Sequence, residues 1–164
     1  MKVEVPYLYL VGDSMNIDEV MKPGVTGFSE EELSKQEIKD FEAYLYHAIR
    51  CENGKLIKTE LLINNRNFYT YQIGIRTKVF HILLHSNFPF VAFASVVDYS
   101  GIVFIDAPEQ VKTILTENYI VLESKLLNQT FTSEDTRTLG RHEQEMIKYW
   151  KPETIGEVIF NYWD

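Results

Sequence analysis

The chain has 164 residues, 45% of them hydrophobic and 24% charged, enough for one globular domain with a substantial core. Lys and Arg total 16 against 24 for Asp and Glu, a formal charge of -8 that repels phosphate backbones and anionic lipid surfaces and favours a basic protein as partner. The one cysteine, Cys51, excludes an intrachain disulfide and a thiolate zinc cluster, and the sequence has no apolar run of about 18 residues to span a membrane.

Residues 3–11 read as a first strand, closed by the turn residues Gly12, Asp13 and Ser14. A polar loop follows. Ser29 and Glu32 have capping-box spacing, and behind them Leu33, Ile38, Phe41, Leu45, Ala48 and Ile49 recur at helical intervals until Asn53-Gly54. From Lys55 to Asp106 the texture changes to short runs of β-branched and aromatic residues split by turn residues, which predicts an antiparallel meander. The segment FPFVAFASVV is apolar on both faces, so helices must cover the sheet on both sides. Asp106 and Pro108 predict the cap and first turn of a helix running to Leu115, and residues 119–127 read as another strand. A polar helix is expected from Ser133, with Leu139, Met146, Ile147 and Trp150 as its apolar stripe. In the closing segment WKPETIGEVIFNYWD, the residues Ile155, Val158, Ile159, Tyr162 and Trp163 follow one helical face, although Val158, Phe160 and Tyr162 also alternate as a strand would. The helical reading is preferred and makes Ile155, Ile159, Tyr162 and Trp163 C-terminal packing residues. The expected fold is α+β, a single compact domain over residues 1–164 with an antiparallel sheet of about five to six strands covered by helices.

Few residues point to chemistry. The strand ending in Gly12-Asp13-Ser14 resembles the first block of GDS-type lipases and esterases, in which the serine is the nucleophile. The base and oxyanion blocks that such chemistry requires have no counterpart here, since the last histidine, His142, is preceded at three residues by Leu139. His81 and His85 are four apart, but in a strand they would stand roughly 13 Å from each other, too far to share a metal. His47 and His142 have no sequence partner that would make either a general base. Cys51 ends a helix, where the dipole opposes thiolate formation. No phosphate loop or calcium-ligand spacing is present, so no cofactor, no metal and no catalytic residue is assigned. The acidic side chains assigned to a partner surface are Glu30, Glu31, Asp98, Asp106, Glu109 and Glu117.

The ending that carries Trp150, Pro152, Gly156, Glu157, Phe160, Asn161, Trp163 and Asp164 resembles the C-termini of small bacterial immunity proteins that neutralise polymorphic or contact-dependent growth-inhibition toxins. The resemblance implies a cytoplasmic, non-enzymatic protein that binds a cognate basic toxin domain, often a nuclease, with no direct contact to nucleic acid or membrane. Such families vary where they touch their toxins, so no contact residue is carried over. Two alternatives remain open on sequence: a small hydrolase using Ser14, and a structural protein that forms a homodimer through its C-terminal helix.

Overall fold

The structure, a computed structural model, describes residues 16–29, 31–60 and 66–163. The predicted first strand and its Gly12-Asp13-Ser14 turn lie outside the described residues. Helix α1 (Ile17–Val20) is a single turn closed by a capping box between Asn16 and Glu19. In α2 (Lys35–Cys51) the box is formed by Ser34 and Glu37: the Ser34 hydroxyl accepts from Glu37 N–H (3.1 Å) and the Glu37 carboxylate from Ser34 N–H (2.7 Å). The predicted box at Ser29 and Glu32 is therefore displaced. Sequence offers the same spacing twice, and the Leu33 amide donates outward to Ser86 O (2.8 Å) instead of joining a helix.

Strands β1 (Lys55–Glu60), β2 (Phe68–Ile75), β3 (Lys78–His85), β4 (Phe90–Asp98) and β5 (Gly101–Ile105) pair in chain order as the antiparallel meander that their turn residues predict. A sixth strand, β6 (Ile120–Val121), runs parallel to the start of β4, with Phe90 opposite Ile120 and Val91 opposite Val121, so the α+β sheet is mixed. The expected strand over residues 119–127 shrinks to those two residues. From Ser124 the chain coils into α4 (Ser124–Leu127), which buries the neighbours Leu126 and Leu127 in the same cluster, something a strand of period two cannot do.

The pleat sorts the core into two layers. Phe68, Leu83, Phe90, Ala92, Ala94 and Phe104 point to one face, where α1, α4 and the C-terminal helix α6 (Ile155–Ile159) pack. Tyr69, Tyr71, Ile73, Phe80, Ile82, Leu84, Val91 and Phe93 point to the other, against α2 and α3 (Glu109–Leu115). The double-sided apolar run of β4 is thus buried on both faces.

Three further expectations change. Helix α3 has Pro108 at its N-cap, while the Asp106 carboxylate accepts from Ser124 N–H (3.0 Å) and Oγ–H (2.9 Å) at the start of α4. The polar helix α5 (Arg141–Trp150) starts after Gly140, because Asp135 accepts from Thr132 N–H (2.7 Å) and the Thr136 hydroxyl donates to Ser133 O (2.9 Å), holding residues 133–138 in turns. At the C-terminus α6 stops at Ile159. The Asn161 side-chain amide donates to Val158 O (3.0 Å), the carbonyl that the Tyr162 N–H would need for the helix to continue, and Phe160 turns extended. Tyr162 and Trp163 therefore lie beyond the helix instead of on its face.

Candidate functional site

Residues 150–163 form a strap across one face of the sheet. Helix α5 ends because Lys151 is left-handed (φ 51°), its N–H returning to Ile147 O (2.9 Å), and Pro152 cannot continue the helix. Thr154 bridges Thr130, and the Thr154 hydroxyl caps α6 by accepting from Glu157 N–H (3.3 Å). Gly156 is required where α6 crosses β5, since a Cβ there would overlap the Phe104 ring and come within 2.9 Å of Leu127 O. Ile155 and Ile159 are fully buried, whereas Tyr162 and Trp163 are half-buried against the same cluster.

A buried polar network fixes the end of the strap. Asn161 N–H donates to Asn67 Oδ1 (2.9 Å), the Asn161 side chain donates to Thr26 O (3.0 Å), and Asn67 Nδ2 donates to Ile159 O (2.8 Å). His85 joins the network from β3. Its Nε2–H donates to Val25 O (2.7 Å), and its Nδ1 accepts from Asn87 N–H (3.0 Å) and Phe88 N–H (3.3 Å), which fixes a neutral tautomer. Burial lowers its pKa to about 4, against the raising effect of its backbone hydrogen bonds. Both ring nitrogens are occupied by the fold, and His81, four residues away on the same strand, makes no cluster with it; no group of metal-ligating side chains occurs among the described residues. Glu143 closes the network from α5: its carboxylate accepts from Gly24 N–H (2.9 Å), Gly140 N–H (3.3 Å), Thr26 N–H (3.2 Å) and the Thr26 hydroxyl.

Between this strap and the β4–β5 hairpin lies a groove of about 230 Å³. Tyr99, Ile102, Phe104, Trp150, Tyr162 and Trp163 supply its apolar walls, and Asp98, Lys151 and Glu157 its charges. Tyr99 is 70% exposed and Trp150 41%, with Tyr149 beside Trp150 at 74%. Tyr99 and Tyr162 lean together with ring centroids 4.6 Å apart, and Tyr162 also meets the Phe68 ring at 5.5 Å. Asp98 is held below the usual carboxylate range, first by the Ser100 hydroxyl (2.5 Å) and then by Ser100 N–H (2.8 Å) and Gly101 N–H (3.2 Å). All three bonds end on Oδ1.

The six acidic residues assigned to a partner surface fall in separate places. Asp98 flanks the groove at the start of β5. Asp106 and Glu109 lie past the other end of β5 and line a second hollow of about 230 Å³ with Glu123 and Lys112, the last two forming an ion pair at 3.3 Å. Glu31 is exposed at the opposite end of β4 from Asp98, with its carbonyl bonded to Asn87 (2.9 Å), and Glu117 is exposed beyond α3. Glu30 and Ser14 lie outside the described residues. The residues assigned to a partner surface do not include the exposed groove aromatics Tyr99 and Trp150. The available signal was a large aromatic in the Asp-Tyr-Ser-Gly turn, a place where polar residues ordinarily suffice.

Among the described residues no serine, threonine or cysteine shares a hydrogen bond with a histidine, and the groove is lined by aromatic surfaces with Asp98, Glu157 and Lys151. No helix among them is long and apolar enough to cross a membrane. No family model, curated protein or solved structure matches the chain.

Proposed function

We propose that this chain is a non-enzymatic immunity protein, acting in the cytoplasm, that binds and neutralises a cognate basic toxin domain of the nuclease type. The observation that carries the reading is the groove beside the β4–β5 hairpin, where Tyr99 and Trp150 stay exposed next to Asp98 and Glu157. Exposed aromatics on a rigid frame, rimmed by carboxylates, are the chemistry of an interface anchor for a basic partner. The net charge of -8 would speed encounter with such a partner, and the aromatic contacts would slow its release. The C-terminal resemblance to immunity proteins gives the partner its class. The test is whether a neighbouring gene encodes a toxin domain, then co-expression with that domain and calorimetry on the purified pair. Rescue of growth, with affinity lost at least tenfold in Tyr99→Ala plus Trp150→Ala, is the expected result. Hydrolysis of a chromogenic ester that disappears in Ser14→Ala would replace this reading with an enzymatic one.

A further inference from the structure

Among the described residues β1 and β5 are the two ends of the meander, with the two-residue β6 pairing β4 off its path, and those two ends are guarded differently. Edge strands expose unpaired backbone groups, and proteins blunt them with charges, prolines or bulges. Strand β1, KLIKTE, carries Lys55, Lys58 and Glu60 and a register shift at Ile57. Strand β5, GIVFI, carries no charge and no proline, and the bulge beside it falls on β4, between Ala94 and Val96. Among the described residues no backbone hydrogen bond runs outward from Gly101–Ile105.

Both faces flanking this edge are also incomplete. On the α3 side Val103 is 54% exposed and its cross-strand partner Val96 is 43% exposed, an apolar pair left open among the described residues. On the strap side Ile102 and Phe104 form the floor of the groove, with Trp150, the carboxylates of Asp98 and Glu157 and the cation Lys151 around it. Asp98 stands at one end of β5, and Asp106 and Glu109 at the other.

We propose that the groove and this edge act together, and that the partner is captured by strand addition: an extended segment of a basic protein pairs with the backbone of Gly101–Phe104. This inference rests on the binding reading above and specifies its mode. Successive side chains of an added strand fall on opposite faces. Those on the Val96–Val103 side are β-branched apolar residues. Those on the groove side are lysines or arginines, which find the Trp150 and Tyr99 rings and the carboxylates of Asp98 and Glu157. Charge selects this occupant over a second copy of the chain, which would bring another net charge of -8 against the same carboxylates.

The probe is an acetylated, amidated peptide of about nine residues alternating lysine and valine, the length of an ordinary strand with short overhangs. Added to the full-length protein, it should shift the amide signals of residues 101–104 and the Trp150 indole, and slow hydrogen exchange at alternate amides of β5. The same peptide with alternate backbone nitrogens methylated keeps its charge but cannot complete a ladder, and should bind at least tenfold more weakly. Val103→Lys places a guarding cation on an exposed position and should weaken the peptide at least tenfold, whereas Val79→Lys on β3, at a site 52% exposed, should leave it unchanged. Equal binding of the two peptides, shifts elsewhere on the protein, or absence of binding would overturn strand addition, as would light scattering that shows a dimer dissociated by Val103→Lys. Undiminished capture of the toxin domain by Val103→Lys removes this mode and leaves the immunity reading standing; loss of all capture by the unaltered protein removes both.

Discussion

His85 should make the protein acid-sensitive in a defined window. Its imidazole is fully buried, both nitrogens are committed to backbone partners, and its ring neighbours are Phe88, Phe90 and Phe160. In the unfolded chain it titrates near 6.5, and in the native protein near 4. Between those values the unfolded state holds a proton that the native state refuses, so stability rises with pH. The contribution is complete above pH 6.5 and is lost as pH falls to about 4. At about 1.36 kcal/mol for each pH unit, the interval is worth about 3 kcal/mol. Protonation would also turn the Nδ1 acceptor into a donor facing the Asn87 and Phe88 N–H groups, so the turn that follows β3 at residues 86–88 should loosen first. Urea unfolding from pH 7 to pH 4 measures the slope, and His85→Gln, which has no titrating group, removes the contribution of this residue from the carboxylate background. Equal loss of stability by wild type and His85→Gln over that interval, or an NMR titration of the native His85 ring near 6.5, would refute this pH dependence.

Glu143→Gln exchanges an oxygen acceptor for an amide that faces N–H donors, and should lower chemical-denaturation stability by about 2 kcal/mol or more. Gly156→Ala forces a methyl group against the Phe104 ring and Leu127 O, and should lower stability by about 1 to 3 kcal/mol, read as a drop in melting temperature. Trp150→Ala should leave unfolding within about 0.5 kcal/mol of wild type, whereas Trp163→Ala should cost about 2 kcal/mol, because Trp163 is half-buried against the core and Trp150 is exposed; calorimetric melting of the two variants checks the order. Capture of the toxin domain should weaken steeply between low and physiological ionic strength if carboxylates steer it, and calorimetry at two salt concentrations reads the change.

The parts of the fold legible in the sequence are those in which local pattern and tertiary environment agree. The meander from Lys55 to Asp106 is written in its turn residues, and the two-sided burial of β4 in its lack of alternation. Patterns of equal local merit were illegible. Ser29 and Ser34 both have capping-box spacing to a glutamate, and the choice is made by Ser86 accepting the Leu33 amide from across the chain. The end of α6 is decided likewise by Asn67, 94 residues before Asn161 and bonded to its amide. Periodicity alone extended that helix through Tyr162 and Trp163, because it cannot register a side chain capping a carbonyl from within. Among the acidic candidates, Asp98, Asp106 and Glu109 flank β5, yet acidity at helix starts and strand ends gives no means of separating them from Glu31 or Glu117.

The buried network and the exposed groove are two sides of one strap, and this has an energetic consequence for binding. Asn161 is fixed by Asn67, Thr26 and Val158, and the residues on either side of it, Phe160 and Tyr162, line the groove together with Asn161 itself. Tyr162 is further held by a hydrogen bond from Arg66, whose guanidinium lies 4.8 Å from the centre of the Phe68 ring and 3.2 Å from the Glu60 carboxylate. One wall of the groove is therefore ordered before any partner arrives, and little conformational entropy remains to be lost there on association. The opposite wall is the β4–β5 hairpin, where the Asp98 carboxylate bonds the Ser100 and Gly101 amides and holds Tyr99 in its turn. In the proposed binding mode Asp98 has two duties, and they separate by substitution. Asp98→Asn keeps an acceptor for the turn while removing the charge, so it should retain stability and lose affinity for a basic partner; Asp98→Ala should lose both.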